Sequence, residues 1–160
     1  MHRVRLGGGV GCVLVAALAL LLASCADNGL RLYPVKGTVR VNGQPVKDVQ
    51  VIFFHTEGFD ERTVVPTAWT QEDGSFVLTT FKPGDGAPAG DYEVKLLWPQ
   101  YRRPRGGDGP DRLQGRFADA KTSQIRAHIE AQNDNELPPF EITGRVLPPA
   151  SPKVRAKKHD

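Results

Sequence analysis

The chain has 160 residues, and its 21 basic against 18 acidic side chains give a net charge of +3. Residues 1–24 hold Arg3 and Arg5 and no acid, so without them 19 basic residues face 18 acidic ones, a balance that gives nucleic-acid binding no support. The two cysteines are Cys12 and Cys25, and the chain beyond them lacks a thiol for a disulfide, a thiolate metal site or a cysteine nucleophile.

In chain order the first element is an export signal. His2, Arg3 and Arg5 precede an uncharged run over 10–22, and small residues follow it. A spanning helix would need about 20 apolar residues. This run is shorter, opens on Gly7-Gly8-Gly9 and stops at polar Ser24. Its end, Leu22-Ala23-Ser24-Cys25, resembles the lipobox of bacterial lipoproteins. The resemblance implies a signal peptide over 1–24, cleavage before Cys25, a diacylglyceryl group on the Cys25 thiol and an acylated new amino terminus. One acyl chain holds a protein only marginally, whereas two or more hold it stably. The implied state is a chain anchored to a membrane through Cys25 without spanning it. In that family an aspartate directly after the cysteine retains the protein at the inner membrane. Here Ala26 holds that place and Asp27 follows, so the outer membrane is the expected location, with the domain facing the periplasm or the cell surface.

Residues 25–32 then form a short lipidated tether, and a period of two begins at Tyr33. Val35, Gly37, Val39 and Val41 share one face, with Lys36, Thr38 and Arg40 on the other, as in a half-buried strand. Asn42-Gly43 is a hairpin signal because both residues tolerate positive φ. Residues 44–48 link to 49–54, which is apolar on both faces toward its end and is predicted to be a central strand. The segment 63–70 is rich in β-formers, but Pro66 removes a ladder donor and points to an edge. Gln71-Glu72-Asp73-Gly74 makes a tight turn, after which 75–80 is predicted to pair back antiparallel.

Proline and glycine force a loop over 82–90. Tyr92, Val94, Leu96 and Trp98 then alternate with Asp91, Glu93, Lys95 and Leu97 as an amphipathic strand. Pro104, Gly106, Gly107, Gly109 and Pro110 within 100–115 preclude a regular element, and a loop of that length is functional or disordered. Over 123–131 a helix capped by Ser123 competes with a strand; the alternation of Ile125, Ala127, Ile129 and Ala131 favours the strand. Residues 140–142 form the last strand after Pro138-Pro139. A basic, proline-rich tail over 145–160 has too little apolar content to fold. Seven short strands, with turn signals every eight to twelve residues, predict an all-β sandwich of two antiparallel sheets over 33–144.

Gly37-Thr38-Val39, Asn42-Gly43-Gln44-Pro45-Val46, Val49-x-Val51-x-Phe53, Thr70 through Asp73-Gly74 to Phe76, and the run from Gly86 to Val94 together resemble the carboxypeptidase regulatory-like domains. That resemblance covers most of 35–142 and implies a transthyretin-like (prealbumin-like), seven-stranded Greek-key β-sandwich. The segments 113–123 and 135–140 also look like those of small bacterial surface lipoproteins carrying this domain. These motifs shape turns and close contacts, and a fold does not confer a function.

Intradiol dioxygenases share the sandwich and hold iron with two tyrosines and two histidines. Here only His55 and His128 lie in the folded part, and no motif spacing links them to Tyr33, Tyr92 or Tyr101, so no metal and no cofactor are expected. Asp60-Glu61, Glu72-Asp73 and the Asp108, Asp111 pair sit in hydrophilic turns, where solvated acids outweigh a glycosidase dyad or a calcium loop. No Gly-x-Ser-x-Gly elbow and no phosphate-cradling glycine loop occur. Trp69, Trp98 and Tyr101 are the residues suited to stacking on sugars, with Trp98 assigned to the core. Tyr101, Arg102, Arg103 and Arg105 form the candidate ligand-binding loop. The resulting expectation is a non-catalytic, membrane-anchored envelope lipoprotein whose sandwich binds or spaces an unknown protein or polysaccharide. The alternative is a carbohydrate-binding or polysaccharide-processing module using the 100–116 loop.

Overall fold

The computed structural model describes residues 30–57, 65–103 and 107–150. The chain divides into Met1–Leu30 and Arg31–Asp160, and every described strand belongs to the second unit. Leu22, Ala23, Ser24 and Cys25, together with Arg105, Asp60-Glu61 and the end of the basic tail, lie outside the described residues. No helix among the described residues is long and apolar enough to cross a membrane.

The unit is an all-β sandwich of two sheets. The first strand, β1 (Val35–Val41), is buried at alternate residues, as its sequence dictates. Asn42 and Gly43 turn the chain with φ of 51° and 78°, the two positive values of a type I′ hairpin. That turn pairs Val41 with Gln44. The presumed link therefore begins as a short strand, β2 (Gln44–Pro45). Next, β3 (Gln50–His55) lies between the edge strand β4 (Thr67–Trp69) and β6 (Gly90–Leu97), in the predicted central place. Pro66 stands just before β4, where its missing N–H costs no ladder bond, and its carbonyl accepts from the Phe53 N–H at 3.0 Å.

Two expectations on strand pairing are corrected. Residues 75–80 do pair antiparallel, but they fold back on 63–70 at Thr79, which bridges Thr67, whereas β5 (Ser75–Val77) crosses to β1 and pairs Phe76 with Gly37. Gly37 makes that crossing possible, because a Cβ there would lie 2.5 Å from the Phe76 Cζ. Nor are both sheets wholly antiparallel: β8 (Asn135–Glu136) and β9 (Phe140–Ile142) run parallel to β1. Nine strands are thus present among the described residues, two of them only two residues long. The segment 123–131 resolves as a strand, β7 (Arg126–Ile129), antiparallel to β6.

The core is aromatic and joins the two sheets. Phe53 and Tyr92 come from β3 and β6, Phe76 and Phe140 from β5 and β9. Ring centroids stand 5.6 Å apart for Phe53–Tyr92, 6.5 Å for Phe53–Phe76 and 5.9 Å for the stacked Phe76–Phe140 pair. Edge and offset contacts of this kind add to the gain from area burial alone. Val39, Val51, Val94 and Leu96 fill the space around the rings without measurable exposure.

Candidate functional site

The connection after β6 supplies the site, and it is more regular than its glycines and prolines imply. The Arg112 N–H donates to the Trp98 carbonyl at 2.7 Å, Gln100 to Pro110 at 2.9 Å and Gly109 to Tyr101 at 2.9 Å. Residues 98–101 and 109–112 therefore form a paired stem that prolongs β6. Asp111 closes its base, since Oδ1 accepts from the N–H groups of Trp98 and Leu113 and Oδ2 from that of Gly115, all within 3.0 Å. Beyond the stem the chain runs back along β6, with Leu96 donating to Phe117 and Val94 to Ile125. Ser123 is buried there and donates to the Val94 carbonyl, so it ties this strap to β6 and caps no helix.

The start of the expected tail is held by the same stem. Arg116 donates to the carbonyls of Thr143 and Arg145, and the Leu147 N–H donates to Arg112 at 2.9 Å. Residues 145–147 are thus bonded to the domain rather than trailing from it.

Arginines cover the aromatic rings around the stem. Arg102 lies over Trp69 with its Cζ 3.7 Å from the ring centroid, Arg103 over Tyr101 at 4.7 Å and Arg112 over Trp98 at 3.6 Å. Such contacts contribute about 0.5–1 kcal/mol each when exposed and about 2 kcal/mol when desolvated. Gly109 is also pressed against Tyr101, where a Cβ would stand 2.7 Å from the ring. The three aromatic residues singled out for sugar stacking are therefore already in contact with guanidinium groups.

Between the stem and 45–48 lies an open groove of about 400 Å³, lined by Lys47, Asp48, Glu72, Gln100, Arg102 and Arg112, with Trp98 and Tyr101 also on its wall. Asp48, at φ 61°, accepts from Arg102 at 3.1 Å. Lys47 pairs with Glu72, whose carboxylate raises the lysine pKa above its usual value. Arg112 is half-buried, and its Nε donates to the Leu147 carbonyl at 2.8 Å. Burial lowers its pKa, but an arginine stays protonated at neutral pH.

The structure brings Tyr101 and Arg102 to this groove and sets Arg103 on the Tyr101 ring. Sequence reasoning missed Arg112 and the Lys47-Asp48 pair, which lie far apart in the chain and meet because the stem folds against 45–48. For Trp98 it was right about burial, with 7% of the residue exposed, but the stacked Arg112 was not foreseen. Of the iron-ligand types, His55 packs edge-on against Tyr92 with centroids 5.0 Å apart, while His128 pairs with Asp91 at 2.7 Å. Tyr92 is buried and donates to the Pro88 carbonyl. Among the described residues no three His, Cys, Asp or Glu side chains form a group able to hold a metal.

No family model matches this chain, and no curated protein matches it. Solved structures resemble it distantly, among them the following three. A DUF3823 family protein from Bacteroides ovatus is 14% identical with a TM-score of 0.35, over 73% of this chain and 45% of that one. A 9R-lipoxygenase from Cyanothece is 11% identical with a TM-score of 0.37, over 84% of this chain and 21% of that one. The dioxygenase domain of a dioxygenase carbohydrate-binding protein fusion from Streptomyces sp. SirexAA-E is 19% identical with a TM-score of 0.37, over 79% and 86%. This chain thus spans less than half the length of the first two. Similarity at this level carries no argument about function.

Proposed function

We propose that the protein is a non-catalytic envelope lipoprotein, anchored through acyl chains on Cys25, whose β-sandwich acts as a binding module. The observation that carries this reading is the sequence Leu22-Ala23-Ser24-Cys25 at the end of an uncharged run, eight positions ahead of Tyr33. Tyr33 is already part of the folded unit, bridged to Ala87. The likeness of 35–142 to carboxypeptidase regulatory-like domains supports the assignment of the sandwich to that fold family and agrees with a role in binding or spacing. An outer-membrane location follows from Ala26 after the cysteine.

Growth of a producing strain with an alkyne-bearing fatty acid tests the anchor. The wild-type chain becomes labelled and the Cys25→Ser variant does not. Label retained by the variant contradicts the assignment.

The 100–116 connection is the part of the sandwich best fitted to bind, because a paired stem holds its side chains in place over a groove. Its covered rings favour polar recognition over bare stacking on a neutral sugar.

A further inference from the structure

Three cations line the groove, and two of them are already neutralised: Lys47 by Glu72 and Arg102 by Asp48. Arg112 makes no ion pair with a carboxylate among the described residues. Its Nε is bound to Leu147, its plane rests on Trp98, and its two terminal nitrogens make no hydrogen bond among the described residues. A planar guanidinium held in this way has lost most of its rotational freedom before any ligand arrives. Its remaining donors form the fork that matches a carboxylate bidentately.

The rest of the wall narrows the ligand class. With Lys47 and Arg102 paired to Glu72 and Asp48, one cation is left over in the groove, too little charge to hold a polyanion such as a nucleic acid or a dense anionic membrane surface. Hydroxyl groups, by contrast, both donate and accept, so they satisfy Asp48, Glu72, Gln100 and Lys47 alike. A polyol bearing an isolated carboxylate meets every one of these groups with a partner.

We propose that the groove binds an acidic saccharide of the uronic-acid type, with Arg112 as the anchor for its carboxylate and Gln100, Lys47 and the groove acids contacting its hydroxyls. The proposal rests on the reading of the sandwich as a binding module and adds the ligand class to it. Arg112, rather than Tyr101, is the residue on which recognition turns.

The test uses the full chain in a neutral detergent, and the reporter is built in, because the chain's two tryptophans are Trp69 and Trp98, one under each groove arginine. A galactotriose in which one residue is galacturonate is titrated while tryptophan emission is followed, with its methyl-esterified form, neutral galactotriose and glycerophosphoglycerol, the soluble headgroup of phosphatidylglycerol, as comparison probes. The expected result is a saturable change with the free acid only, weakened at least tenfold in Arg112→Gln and also weakened in Arg112→Lys, which keeps the charge but not the fork. Equal binding of the ester or of galactotriose overturns the proposal, as does unchanged affinity in Arg112→Gln. Saturable binding of glycerophosphoglycerol but not of the trisaccharide overturns it in favour of a lipid headgroup. Should Arg112→Gln lose its fold through the lost Leu147 contact, the free-acid and ester arms on the wild-type chain still decide. None of these arms depends on acylation of Cys25, so failure here and failure of the lipoprotein assignment are separately visible.

Discussion

Tyr92 shows how one buried side chain sets a pH limit. Its ring is 1% exposed between His55 and Phe53, its hydroxyl donates to the Pro88 carbonyl at 2.8 Å, and burial pushes its pKa from 10.0 up to about 12. The folded state therefore keeps the phenol protonated where the unfolded chain ionises. The stability due to Tyr92 is whole below pH 10 and is lost as the pH rises toward 12, to the extent of about 2–3 kcal/mol. Urea denaturation of Tyr92→Phe checks this. At pH 7.5 the variant is less stable by about 1 kcal/mol, the worth of the lost hydrogen bond, and near pH 12 the order reverses. The position of Tyr92 on a buried stripe was legible from strict alternation in 91–98. Its bond to Pro88 was not, because it depends on how the loop before β6 is folded. Arg112 was hidden for a related reason: its setting comes from Trp98 and Leu147, 14 residues behind and 35 ahead.

At the level of elements, local signals were reliable and partner choice was not. Asn42-Gly43 encodes its own hairpin, and β1, β3 and β6 follow from period and composition. The pairing of β5 with β1 depends on Gly37 admitting Phe76, a contact between distant residues that no local pattern shows. The 98–112 stem was likewise concealed by its glycines and prolines, since one carboxylate closes its base. Asp111→Ala removes the acceptor for three N–H groups and is expected to cost about 2–4 kcal/mol, with a red shift of Trp98 emission as the stem opens. Among the described residues Asp108 accepts only from the Arg103 N–H, at 3.3 Å, so Asp108→Ala leaves both thermal midpoint and emission nearly unchanged. Equal effects of the two substitutions in thermal melts would show that Asp111 is not what holds the stem.

For the whole molecule, the all-β sandwich was readable from seven regularly spaced strand signals, because a sheet with one apolar face needs a second sheet to cover it. The cross-sheet cluster of Phe53, Tyr92, Phe76 and Phe140 is the physical form of that cover. Without a cysteine beyond position 25 the fold rests on this core. Under the proposed function the sandwich is a stable head and the lipid on Cys25 its hold on the membrane. Mass spectrometry of the amino-terminal peptide from protein extracted out of the producing cell tests this most directly. The account predicts a chain that starts at Cys25 and carries a diacylglyceryl mass on its sulfur. An unmodified cysteine, or a mature chain that begins anywhere else, would contradict it.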